Sequence, residues 1–462
     1  MRKLNHTLIG ALLGATAMYA VSGATAASSD TYRNLAIFGD IFERVRATYV
    51  TPPDEEELVE AAINGMLTSL DPHSSYLNAE DTADMRTQTR GEFGGLGISV
   101  SMEEELVKVI APMVDTPAEK AGVLAGDLIA EIDGEPVRGL TLADAVDLMR
   151  GPVGSPITLT ILREGAVEPL EIEIVRDIIQ VEAVQSRVEE AEDGSVGYLR
   201  LITFNEKTYS DMKKGIERIT EEVEENGGEL KGFVVDLRLN PGGLLDQSVS
   251  VSDAFLDRGE VVSTRGRNEE ETRRYSARPG DLTGGAPIVV LVNGGSASAS
   301  EIVAGALQDH ERALVLGTKS FGKGSVQTIF PLGPETALRL TTGLYYTPSG
   351  TSIQGTGITP DVVVEQILPE EIRDRIRVRG ESDLRGSIEG ENQGDEGSGS
   401  IAYVPQEAED DTQLQYALRL IREGEVQAEI DKPGKGRAAD TVETAAAPAD
   451  AVDGAEDEAT AN

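Results

Sequence analysis

The sequence predicts a multidomain protein of mixed class, α/β in its longest stretch and α+β elsewhere. Three observations carry that reading. The 462 residues are enough for two or three domains of ordinary size. Before residue 90, apolar residues recur at spacings of three and four, the helical period. After about Val181, short apolar runs alternate with helical ones, as in a sheet with parallel pairs and helical layers.

The first element is an export signal. Arg2 and Lys3 precede an apolar stretch from Leu8 to about Val21, and Ala24-Thr25-Ala26 is a small-x-small cleavage pattern. Residues 1–26 are expected to be removed, leaving an exported protein of the periplasm or cell envelope; an uncleaved anchor is the alternative. Residues 27–90 read as a helical region. Leu35, Phe38, Ile41, Phe42, Val45 and Tyr49 share one face, and Pro52-Pro53 breaks that helix. Leu58, Ala62, Ile63 and Met66 share a face of a second helix, which Asp71-Pro72 ends. So few helices bury no core alone, so this region is expected to pack on a neighbour or on a second subunit.

Residues 91–177 change character. Gly94-Gly95-Leu96-Gly97 leads into a strand from Ile98 to Met102, and a second strand runs from Leu106 to Ile110. Thr116 to Gly122 reads as a short helix capped by Thr116, followed by a strand to Ile132, a helix from Leu142 to Met149 and a strand from Pro156 to Arg163. Two β-rich halves around two helices make a compact binding module. Residues 178–370 are the α/β stretch, with strands at Val196–Leu201, Phe233–Asp236, Ile288–Val292, Ala313–Leu316 and Val326–Phe330. Its helices are expected at Tyr209–Asn226, Gln247–Phe255 and Ser298–Gln308. Residues 371–439 read as a linker with one amphipathic helix (Leu414, Ala417, Leu418, Ile421), and residues 440–462 as a disordered acidic tail.

Composition removes several chemistries. There are 81 Asp and Glu against 41 Lys and Arg, a net charge of −40, which argues against nucleic acid or an anionic membrane as the main partner. The absence of Cys excludes disulfides, thiol nucleophiles and thiolate metal sites. Three His (His6, His73 and His310) make a His-built zinc site improbable, and no metal or cofactor is expected.

Three loops carry chemistry. In Val289 to Glu301, a buried strand runs into Asn293-Gly294-Gly295-Ser296-Ala297 and then a helix that Ser298 opens. Unpaired backbone N–H groups at such a helix start can stabilise an oxyanion. Ser298 with Glu301 three residues on is equally a capping box, which only stabilises a helix end. A serine nucleophile needs a base, and a lysine serves if burial keeps its amine neutral. Lys323, between Gly322 and Gly324 beside Phe321, has no acid nearby in sequence; Lys319 is its rival. The third loop, Asn240-Pro241-Gly242-Gly243, ends an apolar strand in a turn able to present N–H groups.

These loops, in this order and with Gly94-Gly95-Leu96-Gly97-Ile98 upstream, resemble the carboxy-terminal processing proteases, also called tail-specific proteases. The likeness runs from about Leu35 to Ile421 and is most specific at Gly-Ser-Ala-Ser-Ala-Ser-Glu and Phe-Gly-Lys-Gly-Ser-Val-Gln. It implies a serine endopeptidase with a Ser–Lys dyad, and a PDZ domain over 91–177 inserted before a protease core over 178–370. By that likeness Ser298 is the nucleophile, Lys323 the general base and Gln327 the residue that orients it. Lys323, Ser325 and Gln327 share one face of a strand, which fits. The likeness further implies an oxyanion hole from the N–H groups of Ala299 and Gly243, with Gly242 as the alternative to Gly243. It makes Gly95, Leu96, Gly97 and Ile98 a PDZ carboxylate loop that holds a peptide terminus while the peptide adds as a strand. Residues 70–76, Leu-Asp-Pro-His-Ser-Ser-Tyr, match a signature of the family, so His73 reads as structural. Leu239 stands where relatives often carry Asn. Implied partners are proteins with exposed C-terminal tails, an adaptor protein and further copies of the chain. A resting state with Lys323 away from Ser298, and an activity-sensing PDZ arginine (Arg150 or Arg163), are also implied. The rival reading is a non-catalytic PDZ scaffold of the same fold; a His-dependent protease would need His310 or His73 at the site.

Overall fold

A computed structural model describes residues 30–438 except 104, 192–193, 374, 376 and 392–396. The expected export signal and acidic tail lie outside the described residues. The chain divides into two compact units, Met1–Ser69 and Leu70–Asn462. The first holds a helix over 30–48 and the helix Glu55–Thr68. Asp54 starts the latter, its carboxylate accepting the N–H groups of Glu56 and Glu57. The expected helical region to residue 90 is thus too long. Residues 70–90 belong to the second unit and include the strand Ser75–Leu77 and the helix Ala79–Arg90.

In the second unit the binding module is an antiparallel sheet in the order Ile98–Glu103, Leu106–Pro112, Leu128–Ile132, Pro156–Leu162, Leu170–Val175. Alternation sends Val107, Val109, Ile129, Ile157, Leu159 and Ile161 into its core, against Ala118 of one helix and Ala145 and Met149 of the other. Ile98–Glu103 lies at the sheet edge and pairs on one side only. The short helix Pro117–Lys120 is not capped by the Thr116 side chain; that hydroxyl donates to the carbonyls of Gly97 and Met113, tying the helix to the glycine loop.

The largest sheet has seven strands. Its order is Val184–Glu189, Ser195–Leu201, Leu230–Asp236, Ile288–Val292, Leu314–Gly317, Val362–Val363, Arg437–Ala438. All pairings after the first are parallel. Parallel strands are covered on both faces, which is why Ile288–Val292 is apolar and buried throughout. Val235, Val290, Val292 and Val315 pack on the helices Thr208–Glu225, Leu245–Asp253 and Ala299–Asp309. Val234, Val289, Leu291, Leu314 and Leu316 pack on the helix Thr412–Glu423.

In the expected helical and linker region over 371–439 the amphipathic helix is present, but the region packs into the core rather than serving as a linker. Its helix closes one face of the main sheet. It is anchored by Arg238, fully buried, whose guanidinium is shared by Asp236 (2.6 Å), Asp411 (2.6 Å) and Gln413 (3.0 Å). The Gly- and Ser-rich residues around 380 and 398 also pack inward. Glycines are needed there: a Cβ on Gly380 would stand 2.1 Å from the carbonyl oxygen of Ser398, and one on Gly294 1.9 Å from that of Ser400.

A second sheet holds the expected strand Val326–Phe330, and its other strands went unread in the sequence. Ala337–Tyr346 pairs with Ser75–Leu77, Gly259–Gly266 and Ser325–Pro331, and Arg273–Ala277 completes it. Among the described residues no helix is long and apolar enough to cross a membrane.

Candidate active site

The parallel sheet delivers two turns to one place, the carboxyl ends of neighbouring strands. After Leu230–Asp236 comes Asn240-Pro241-Gly242-Gly243; after Ile288–Val292 comes the turn that carries Ser298. Asn240, fully buried, joins them. Its carbonyl accepts Ala297 N–H (3.0 Å) and Ser300 Oγ–H (3.0 Å), its amide donates to Leu201 O, and its Oδ1 accepts Gly242 N–H (2.9 Å). The Gly242 amide is therefore occupied within its own turn. The N–H groups of Gly243 and Ala299 have no acceptor among the described residues. Gly242 must lack a side chain, because a Cβ there would lie 2.9 Å from Ala299 N and 2.9 Å from Ser298 Cβ. One open N–H belongs to the residue after Ser298 and the other to the residue after Gly242, which abuts Ser298.

Ser298 sits at φ 55°, ψ −110°, a strained conformation for a residue with a side chain, and is 8% exposed. Only half of the expected capping box forms. The Ser298 N–H donates to Glu301 Oε2 (2.7 Å), but Ser298 Oγ makes no cap bond and stays free.

Glu301 is the junction of the site. Its Oε2 accepts the N–H groups of Ser298 and Lys323 (2.7 and 2.9 Å). Its Oε1 accepts Ser320 Oγ–H and Gly322 N–H (2.5 and 2.7 Å). One fully buried carboxylate thus pins the lysine loop to the serine helix. Burial pushes its carboxyl up to about 7, against the pull of those four donors.

Lys323 is half-buried and its Nζ forms no hydrogen bond, to Ser298 Oγ or to any other described atom. Burial draws the amine below the ordinary lysine range and Arg339 adds to that; Glu381, Glu301 and Asp71 work in the opposite sense. The loop is acid-free in sequence but not in space. Glu381, fully buried, is held by His73 Nε2 (2.9 Å) and Gln354 Nε2 (3.1 Å). Burial would raise the Asp71 carboxyl, but bonds from Ser74, His73 N–H and Thr341 hold it below the usual carboxylate range. His73 therefore serves Glu381, and His310 bonds the Glu260 carbonyl away from the site. Lys319, the rival base, donates to Gly397 O (2.5 Å). Gln327 forms no side-chain hydrogen bond to Lys323; its Nε2 donates to Ser325 Oγ (3.0 Å) and Thr341 Oγ1 (3.3 Å). Among the described residues no group of three His, Asp or Glu stands together for a metal ion.

At the binding module, the N–H groups of Leu96 and Gly97 have no acceptor among the described residues. They open on a cavity of about 150 Å³ lined by Phe93, Ile98, Met113, Val146, Met149 and Arg150. Arg150 lies over Phe93 and pairs with Asp84 (3.2 Å), whereas Arg163 pairs with the buried Asp127 (2.7 Å).

Sequence reasoning missed Asn240, Glu301 as more than a cap, and the layer of Asp71, Ser74, Thr341 and Glu381. An Asn before Pro-Gly-Gly was a usable sign of an Asx turn. Nothing local marks Glu381, which lies 58 residues beyond Lys323.

Known proteins resemble this chain over nearly all of its described length. Residues 195–364 match peptidase family S41, residues 108–163 a PDZ domain, and residues 12–81 the activating protease CtpB N-terminal domain. A carboxy-terminal-processing protease of Bartonella bacilliformis is 60% identical over 92% of this chain and 97% of its own. A carboxyl-terminal-processing protease of Synechocystis is 36% identical over 70% of this chain and 75% of its own. The solved photosystem II D1 C-terminal processing protease is 31% identical, covering 72% of this chain and 94% of its own, with a TM-score of 0.42.

Two stability measurements check the geometry. Glu301→Gln turns one acceptor oxygen into a donor facing N–H or O–H groups, so denaturant unfolding will show a loss of about 2–4 kcal/mol; a loss below about 0.5 kcal/mol contradicts the junction. Leu239 has φ 58° and is 41% exposed. Leu239→Asn places there a residue that tolerates left-handed backbone and will add about 1 kcal/mol to unfolding stability; unchanged or lower stability contradicts the strain.

Proposed function

The chain belongs to the carboxy-terminal processing proteases of peptidase family S41, which are serine-type peptidases with a PDZ domain, and from that premise we propose that it cleaves peptide bonds with Ser298 as nucleophile and Lys323 as general base. One observation carries the assignment: a free hydroxyl on a strained, buried helix start, between two unclaimed N–H groups, in the same junction as an amine drawn towards its neutral form.

The neutral amine takes the proton of Ser298 Oγ as the oxygen attacks the peptide carbonyl carbon. The oxyanion formed is received by the N–H groups of Ala299 and Gly243. Collapse breaks the C–N bond, and the Lys323 ammonium gives its proton to the departing amine. Water then attacks the acyl ester, its proton passing through Lys323, and Ser298 is restored. The free enzyme lacks the Ser298–Lys323 hydrogen bond, so the two atoms must close to hydrogen-bond distance once substrate is bound. Gln327 acts on the ordered strand face it shares with Ser325, holding the lysine's approach.

The PDZ domain selects the substrate. A C-terminal tail adds as a strand to the free edge of Ile98–Glu103, its carboxylate on the open N–H groups of Leu96 and Gly97 beside Gly95, and its last side chain in the small apolar cavity. Such tails come from proteins of the cell envelope, to which residues 1–26 export the chain. An adaptor protein and self-assembly belong to the same reading.

The test uses purified protein and a substrate with an unstructured, apolar-ended tail. Ser298→Ala and Lys323→Ala will each lower kcat/KM by at least about 10³ and leave tail-peptide binding unchanged. Turnover retained by either variant overturns the dyad; a wild-type protein that binds tails without cutting them is a scaffold.

A further inference from the structure

The open N–H of Gly243 has its direction set from the opposite side of its own peptide unit. A trans peptide is planar, so the Gly243 N–H points opposite to the Gly242 carbonyl. That carbonyl accepts two bonds, from the Phe204 N–H (3.0 Å) and from Thr203 Oγ–H (3.3 Å). The next peptide unit is fixed by the same neighbour, because the Leu244 N–H donates to the Phe204 carbonyl (2.7 Å). Phe204 and Gly243 thus meet as an isolated parallel bridge. The approach requires glycine: a Cβ on Gly243, at φ 145°, would stand 2.1 Å from the Phe204 carbonyl oxygen. With its carbonyl held on the Thr203–Phe204 side, the unit turns its N–H away from that side, and Gly242 abuts Ser298. A carbonyl that accepts two bonds also polarises its peptide, which strengthens the N–H as a donor.

We propose that Thr203 is a positioning residue of the oxyanion hole, whose hydroxyl joins the Phe204 N–H in holding the Gly242 carbonyl so that the Gly243 N–H meets the developing oxyanion. The inference rests on the Ser–Lys reading with Gly243 as a donor. The segment that does the holding is itself fixed. Thr208, fully buried at the start of Thr208–Glu225, donates its hydroxyl to the Thr203 carbonyl (3.0 Å) and accepts the Asn205 N–H (2.9 Å), so it pins the residues on both sides of Phe204. Asn205, also buried, accepts the Lys207 N–H (2.9 Å), and the Glu206 N–H donates to the Thr89 carbonyl (3.0 Å). None of these bonds uses the Thr203 hydroxyl. Thr203 is only half-buried, where water is able to satisfy a hydroxyl, yet its Oγ is aimed at the Gly242 carbonyl. Its side chain therefore acts on the peptide that carries the donor and leaves the segment's own anchoring to other groups.

The experiment compares the full chain as wild type, Thr203→Val and Thr203→Ser, with Ser298→Ala as reference. Three quantities are read: kcat and KM on a substrate with an apolar-ended tail, the inhibition constant of a peptide aldehyde of the cleaved sequence, and the binding of a tail peptide. Ser298 Oγ adds to the aldehyde carbon and the carbonyl electron pair moves to oxygen, so the aldehyde's affinity reads the oxyanion hole. Turnover surviving in Ser298→Ala would sink the Ser–Lys reading, whatever Thr203 does. With that reading standing, Thr203→Val, which keeps the volume and loses the hydroxyl, will lower kcat about tenfold, short of the roughly 10²–10³ that loss of a whole oxyanion donor costs. KM and tail-peptide binding will stay at wild-type values, and the aldehyde will bind more weakly by the same factor as kcat falls. Thr203→Ser, which keeps the hydroxyl, will keep all three wild-type values. Unchanged kcat in Thr203→Val overturns the proposal. So does a fall in kcat with the aldehyde's affinity unmoved, which is what a purely structural role predicts. Should Thr203→Val fail to fold, Thr203→Ala carries the same comparison.

Discussion

A lysine amine serves as a base only where water and acids do not hold its proton, and this fold brings Lys323 within reach of three acids. The arrangement around it follows from that constraint. Each neighbouring carboxylate is engaged by partners other than Lys323 Nζ: Glu301 by four donors, Asp71 by Ser74, Thr341 and two N–H groups, Glu381 by His73 and Gln354. A carboxylate so engaged has little left to offer an ammonium. Burial then sets the direction of the amine's shift.

The same carboxylate that favours the charged form of the proposed base also builds the site. Glu301 binds the serine turn and the lysine loop through backbone N–H groups, so their relative position does not depend on flexible side chains. Asn240 does the equivalent for the serine turn and the Pro-Gly-Gly turn. Both residues are fully buried and rest on parallel strands that are apolar on both faces. The sheet supplies rigidity, the two polar junctions supply register, and Ser298 Oγ is left free.

Much of this was legible along the chain. Ile288–Val292 was read to the residue, because a continuous apolar run followed by Gly and Ser has few other meanings. Ser298 and Lys323 stood out through local small-residue turns. What stayed hidden was long-range. The strand Ala337–Tyr346 is mixed in burial and shows no clean alternation. Glu381 lies in a Gly- and Ser-rich stretch that reads as solvated, and only packing shows those glycines to be forced by backbone contact. The acid-free surroundings of Lys323 in sequence were misleading for the same reason, since its charged neighbours come from residues 71, 301, 339 and 381. The half-formed capping box at Ser298 could not be separated from a complete one by pattern, because both use the same two residues.

The most direct measurement is the titration of the Lys323 side chain itself, followed by NMR of isotope-labelled lysine in the Ser298→Ala protein with a tail peptide bound. The account predicts a midpoint clearly below the ordinary lysine value of about 10.4. A Lys323 that titrates at or above that value in the bound state would contradict it.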